Sequence, residues 1–130
     1  MAFTPIALGT ATLGATAQLG FDHVSIPLTP TPDAAWIARF NAYGFAPPML
    51  QLQPGINARP RTDGVTVEFD LYAPAAASRV AEIKAAVADA NGWYSGPYTT
   101  QQTATAAAAS AEATARTSRQ SAFNTLLAAP

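Results

Sequence analysis

Two adjacent stretches between Gly64 and Gly92 limit what this chain can become. In the first, Val65, Val67, Phe69 and Leu71 alternate with Thr66, Glu68, Asp70 and Tyr72. Side chains of a strand point to opposite faces in turn, so this run predicts a strand with one apolar and one polar face. Pro74 opens the second stretch, where Val80, Ile83 and Val87 recur at helical spacing. Asn91-Gly92 then supplies the residue type that commonly ends a helix in the left-handed conformation. One strand and one helix, each apolar on a single side, cannot bury those sides without further elements. The expected class is therefore α+β, and 130 residues suit one modest body with arms rather than two independent cores.

Few charges are available to solvate such a body. Hydrophobic residues make up 49% of the chain and charged residues 12%, against a usual charged share of ~25%. The shortage is local: from Met1 to Asn57 the only charged side chains are Asp22, Asp33 and Arg39. A surface so poor in charge fits burial against partner chains. With a net charge of −1 and seven scattered basic residues, no face of Lys and Arg can displace phosphate counterions, so no nucleic-acid partner is expected. Without cysteine there is neither a disulfide framework nor a thiolate ligand or nucleophile. Met1 to Ile6 lacks the basic and then continuously apolar pattern of a leader, and no run is long enough to span a bilayer. No membrane partner is expected, and synthesis in the cytoplasm is the default.

Ahead of the central stretch, Leu-Gly recurs at Leu8-Gly9, Leu13-Gly14 and Leu19-Gly20 within a Thr-rich segment. Glycine at this density disfavours a helix, so residues 1–20 are expected as an extended arm or a loose hairpin. Asp22 to Leu28 reads as a strand with Val24, Ile26 and Leu28 inward, and Pro27, which lacks a ladder donor, marks an edge position. Thr31 as N-cap, Pro32 at the first helical position and Asp33 near the positive end of the dipole start a helix. Its inner face is Trp36, Ile37, Phe40 and Tyr43, and Gly44 stops it. Met49 to Gln53 alternates as a short strand before a Pro54-Gly55 turn, and Asn57 to Gly64 is expected as an exposed loop.

The order β-α-β-β-α resembles a small ferredoxin-like split unit that lacks its last strand. Either Trp93 to Tyr98 or the N-terminal arm can supply the missing edge. The body is expected over residues 21–98, and an Ala-rich, Thr-rich helical tail over 99–130. Apart from Phe123, Leu126 and Leu127 the tail has little apolar area, so it should be marginal alone and should pack on a copy of itself or on a neighbouring subunit.

Side chains able to do chemistry are few. His23 is the only histidine, and alternation puts it opposite Val24 and Ile26, where an ordinary polar strand residue is the simpler reading. Asp63, Glu68 and Asp70 form the only carboxylate cluster. Glu68 and Asp70 share a strand face and could hold a hard cation or act as an acid and base pair, against the simpler reading of a solvated face. Arg59 and Arg61 could meet a phosphate or an acidic patch, or ride on a mobile loop. No Ser-His-Asp set or phosphate-binding glycine loop can be argued, so no catalytic, cofactor-binding or metal-binding residue is assigned. The residues expected at interfaces are Phe3, Ile6, Leu8, Leu13 and Leu19 in the arm, Trp93, Tyr94 and Tyr98 in the densest aromatic patch, and Phe123, Leu126 and Leu127 in the tail.

Gly20 to Pro27, which reads Gly-Phe-Asp-His-Val-Ser-Ile-Pro, together with Asp33 to Phe40 and Tyr43-Gly44-Phe45, resembles the opening of the vicinal oxygen chelate (glyoxalase-like) family. That resemblance implies a metal ligand at His23, a strand-borne carboxylate ligand at Glu68, and a metal-dependent small-molecule enzyme or binding protein. The second histidine that family usually brings is absent. The chain as a whole is similar in type to small virion proteins of tailed bacteriophages, especially those of high-GC hosts. The likeness lies in its Ala/Thr/Pro-rich, cysteine-free and charge-poor composition and in its arm, body and tail. It implies a non-enzymatic structural protein of the virion, made in the host cytoplasm: a capsid decoration, cement or head accessory subunit, or alternatively a tail or tail-tip accessory protein. Partners would be major capsid or tail subunits and copies of itself, with no cofactor. The arm from Phe3 to Leu19 would lie along or augment a neighbour's sheet, and removing residues 1–19 should leave a folded body.

Overall fold

The computed structural model describes residues 3–47 and 51–129, and the chain divides into two compact units, Met1–Tyr94 and Ser95–Pro130. The first unit is α+β. Its strands are β1 (Ala7–Leu8), β2 (Thr12–Ala15), β3 (Phe21–Thr29), β4 (Arg61–Thr62) and β5 (Thr66–Tyr72), and its helices are α1 (Ala34–Asn41) and α2 (Ala76–Trp93). All strand pairs are antiparallel: β1 and β2 lie along one side of β3, β5 lies along the other, and β4 forms the far edge. Val24, Ile26 and Leu28 of β3 and Val67 and Phe69 of β5 form one core with Trp36 and Phe40 of α1 and Ile83, Ala86, Val87 and Ala90 of α2. Both helices therefore cover the same face of the sheet, and removing these side chains from water is the main source of stability.

The arm forms a single edge broken by a bulge. Leu8 faces Leu28 but Thr12 faces Ser25, so residues 9–11 stand opposite only Ile26 and Pro27. Pro27 has no N–H to give to the ladder, and Gly9 N–H reaches the Pro27 carbonyl at 2.7 Å. A Cβ on Gly9 would come within 2.7 Å of the Pro27 ring and 3.3 Å of its carbonyl oxygen, so this crossing requires glycine. Of the two candidate edges, the arm is the one used. Residues Tyr94–Tyr98 form a π-helical turn with Pro97 inside it, where the missing proline N–H removes an α-helical bond.

Alternation along β3 and β5 follows the sequence pattern, with exceptions that have physical causes. Val65 lies before β5 and is exposed. Phe21 and Asp70 face away from the helices yet are buried. Phe21 packs against Tyr72 across the ladder, with ring centroids 5.4 Å apart. Asp70 is covered by the segment before β4: its N–H donates to the Asn57 carbonyl and its Oδ2 accepts from Asn57 N–H, both at 2.8 Å.

Five local expectations are corrected. The N-cap of α1 is Asp33 instead of Thr31, its carboxylate accepting from Trp36 N–H at 3.1 Å. The helix ends at Asn41, ahead of Gly44, and Arg59 Nη2 donates to the Asn41 and Tyr43 carbonyls at 2.6 and 3.1 Å. Arg59 thus serves this helix end and does not ride on a mobile loop. Gln51 to Gln53 form no strand, while Met49 and Leu50 lie outside the described residues. The partner of β5 is Arg61–Thr62 instead, inside the segment expected as an exposed loop, because Ala58, Pro60 and Thr62 can bury there.

Finally, α2 runs through Gly92, which does not have positive φ. Its last turn is held from outside. Arg39 makes a bidentate pair with Asp89 (3.0 and 3.2 Å) and lies over the Trp93 ring at 5.5 Å, and Phe3 meets Tyr94 at 4.5 Å between centroids. These contacts outweigh the cost of about 1 kcal/mol for a helical glycine. The buried side of α2 is Arg79, Ile83, Ala86, Val87 and Ala90, and Val80 is exposed. The second unit carries α3 (Thr99–Ala128).

Candidate functional site

The residues expected at interfaces fall into two groups. Ile6 belongs to the core of the first unit, and Phe3, Leu8 and Tyr94 pack against that core. Asn91 explains why. Its Oδ1 accepts from Ile6 N–H at 3.0 Å and from the Trp36 indole at 2.9 Å, while its Nδ2 donates to the Ile6 carbonyl at 3.0 Å. One side chain thus joins the arm, α1 and α2. Asp33, besides capping α1, accepts from the Tyr94 hydroxyl. Sequence reading missed Asn91 because Asn-Gly looks like a helix terminator. Only the fold reveals its bonds to Ile6 and Trp36.

Leu13 and Leu19 stay exposed, Leu19 at 99%, and so do the apolar residues of α3: Phe123 at 60%, Leu126 at 73% and Leu127 at 68%. No residue of α3 is buried. Several of its polar side chains bond along the helix itself. Thr114, Thr117 and Thr125 hydroxyls donate to the carbonyls of Ser110, Ala113 and Ser121, and Glu112 Oε1 pairs with Arg119 at 2.6 Å and Arg116 at 3.7 Å. Phe123, Leu126 and Leu127 fall at i, i+3 and i+4 and so share one side. Ala104, Ala108, Ala111, Ala115, Ser118 and Ala122 recur at alternating steps of four and three, the heptad spacing along which helices pack side by side. Tyr98 accepts from Gln102 Nε2 at 2.7 Å.

On the sheet face away from the helices, register places His23 opposite Asp70. Its Nδ1 meets Asp70 Oδ1 at 2.9 Å and its Nε2 meets Glu68 Oε1 at 3.1 Å. Asp70 foremost, then Glu68, raises the His23 pKa above the ordinary value of 6.5 by bonding to the charged ring. An imidazolium that donates from both nitrogens has no lone pair for a metal, so this arrangement fits an ion pair better than the ligand set implied by the glyoxalase-like resemblance. Among the described residues no group of three or more His, Cys, Asp or Glu is placed to hold a metal ion. Asp63 lies elsewhere, its Oδ1 accepting from Val65 and Thr66 N–H, bonds that hold its carboxyl below the usual range.

The sign of the His23 effect follows from linkage. A raised folded-state pKa contributes stability that is fully present below the unfolded value of 6.5 and is lost as pH rises through the folded pKa. The ring is nearly half exposed, so solvent limits the contribution to at most about 1 kcal/mol. Chemical denaturation of wild type and His23→Gln at about pH 5.5 and about pH 8.5 should show the larger wild-type advantage at the lower pH; equal differences at both would contradict the ion-pair assignment.

Comparison with family models, with curated proteins and with solved structures finds no match.

Proposed function

We propose that the chain is a non-enzymatic structural subunit that works by assembling with copies of itself and with neighbouring subunits. The observation that carries this reading is α3: thirty residues of helix with no buried side chain and with Phe123, Leu126 and Leu127 left to solvent. An isolated helix gains little beyond its own hydrogen bonds, and most helical stability in proteins comes from packing an apolar side. The seam of small residues at heptad spacing allows close approach of another helix, and the leucines and Phe123 add apolar area at one end. The charge-poor composition and the likeness in type to small virion proteins of tailed bacteriophages favour a capsid decoration or head accessory subunit, with a tail or tail-tip accessory protein as the next reading. The contacts then lie in α3, Leu13 and Leu19 rather than along the whole arm, because Ile6 is buried within its own unit.

We read the fold of the first unit as ferredoxin-like in arrangement. The order arm, β3, β5, β4, with helices after β3 and β5 on one face, supports this, the arm standing where the last strand of that fold would stand.

Light scattering tests the assembly reading. Full-length chain should self-associate in a concentration-dependent way, and the triple substitution Phe123→Ser, Leu126→Ser, Leu127→Ser should weaken association at least about tenfold, each lost apolar contact contributing on the order of 1 kcal/mol. Tryptophan fluorescence of the first unit should be unchanged. A wild type that stays monomeric at every concentration would remove self-assembly through α3, and absence of the chain from purified phage particles by mass spectrometry would remove the virion assignment.

A further inference from the structure

Among the described residues, β4 pairs with Val67 and Glu68 of β5 alone, and the end of β5 has no neighbouring strand on its outer side. There a cavity of about 360 Å³ opens between the end of β5, the start of α2 and residues of the segment that follows α1, within the range of about 300–1,000 Å³ typical of small-molecule sites. Its walls are mostly apolar and include Phe21 and Tyr72. Its charged groups are Asp70, Arg79 and Glu82.

Arg79 is the group that sets the chemistry. It sits on the buried side of α2, one turn before Ile83, at 9% exposure. A guanidinium carries five N–H donors that must be met when water is withdrawn. Among the described residues it makes one hydrogen bond, Nη1 to Glu82 Oε1 at 3.2 Å. No buried side-chain nitrogen or oxygen among them lacks a partner, so the remaining guanidinium nitrogens reach open space, and Arg79 lines the cavity.

The two carboxylates are already engaged. Glu82 Oε2 accepts from Ala46 N–H at 2.7 Å, Asp70 Oδ1 accepts from His23 Nδ1 at 2.9 Å, and Asp70 Oδ2 accepts from Asn57 N–H at 2.8 Å. The cavity therefore offers unmet donors rather than unmet acceptors. The start of α2 also lines it through Ser78, and no side chain caps that helix end, so the positive end of the helix dipole adds to Arg79.

We infer that this cavity binds a small aromatic or aliphatic carboxylate. Its two oxygens take the free edge of the Arg79 guanidinium, a planar fork that matches a carboxylate bidentately, and its apolar body lies among the walls that include Phe21 and Tyr72. This inference is independent of the assembly reading, since every group it uses belongs to the first unit.

Titration of the full chain with sodium benzoate, followed by amide NMR, tests it. Saturable shifts should appear at residues around Arg79 and Ser78, and benzyl alcohol, which keeps the ring without the carboxylate, should bind about tenfold more weakly or less, as loss of a charge-assisted pair requires. Arg79→Gln should weaken benzoate by a similar factor. Should that buried substitution unfold the unit, Ser78→Phe, at an exposed position on the cavity wall, should block benzoate while leaving the fold intact. Equal binding of benzoate and benzyl alcohol, no saturable shift up to the solubility of benzoate, or unchanged benzoate affinity in Ser78→Phe would each overturn the inference.

Discussion

Deleting residues 1–15 is expected to abolish the cooperative unfolding transition of the first unit, a loss of about 5 kcal/mol or more, comparable to the whole stability of a small domain. This reverses the expectation from sequence that the arm is dispensable to the body. The truncation removes Ile6 from the core, where a fully buried side chain of its kind contributes about 2–3 kcal/mol, and strips Phe3 and Leu8 from its margin. It also removes the two register pairs of β1 and the four of β2, leaving the β3 edge without its partner and Asn91 without its bonds to Ile6. Fluorescence-detected urea denaturation, which follows buried Trp36 and half-buried Trp93 and is blind to α3, would report the loss. A truncated chain with an unchanged midpoint would show that the arm is peripheral and available to a neighbour.

Asn91→Ala is expected to cost about 3 kcal/mol, a large effect for a polar residue that is only half-buried. The substitution leaves the Ile6 N–H and the Trp36 indole N–H without their acceptor and the Ile6 carbonyl without its donor, and each buried group left unpaired costs about 1–3 kcal/mol, less where water can enter. Asn91→Asp separates the contributions. It keeps an acceptor for both donors but sets a carboxylate oxygen against the Ile6 carbonyl, so it should be intermediate in stability, with amide exchange at Ile6 to Leu8 faster than in wild type. If Asn91→Ala unfolded at the wild-type denaturant concentration, the joint would be incidental to the fold.

Legibility followed the reach of the interactions. The alternation of β3 and β5, the inner face of α1 and the helical character of residues 76–93 came directly from periodicity, and that of residues 99–128 from the helix propensity of alanine, because those signals lie within a few residues of one another. What depends on partners far along the chain was hidden. Asn91 and Gly92 carry the local mark of a helix end, and it is Arg39, Phe3 and Asp33 that carry the helix past them. Asp70 and Phe21 have the parity of an outer face, and Asn57 and Tyr72 bury them. Arg79 was legible in principle, standing four residues before Ile83, but the alanines around it give no amphipathic contrast and Val80 pointed to a different side. Gln51 to Gln53 form no strand, and Pro54 follows them directly, while Thr62 presents an inward side chain opposite Val67.

The contact between Phe3 and Tyr94, whose ring centroids lie 4.5 Å apart, means that the first unit nearly closes on itself. Its sheet and helices do not depend on which end of the unit was made first. A circularly permuted gene, joining the two ends by a short linker and opening the surface turn at Pro54-Gly55, would encode the same neighbours in a different order, with the arm translated directly after the helix that holds it and just ahead of β3.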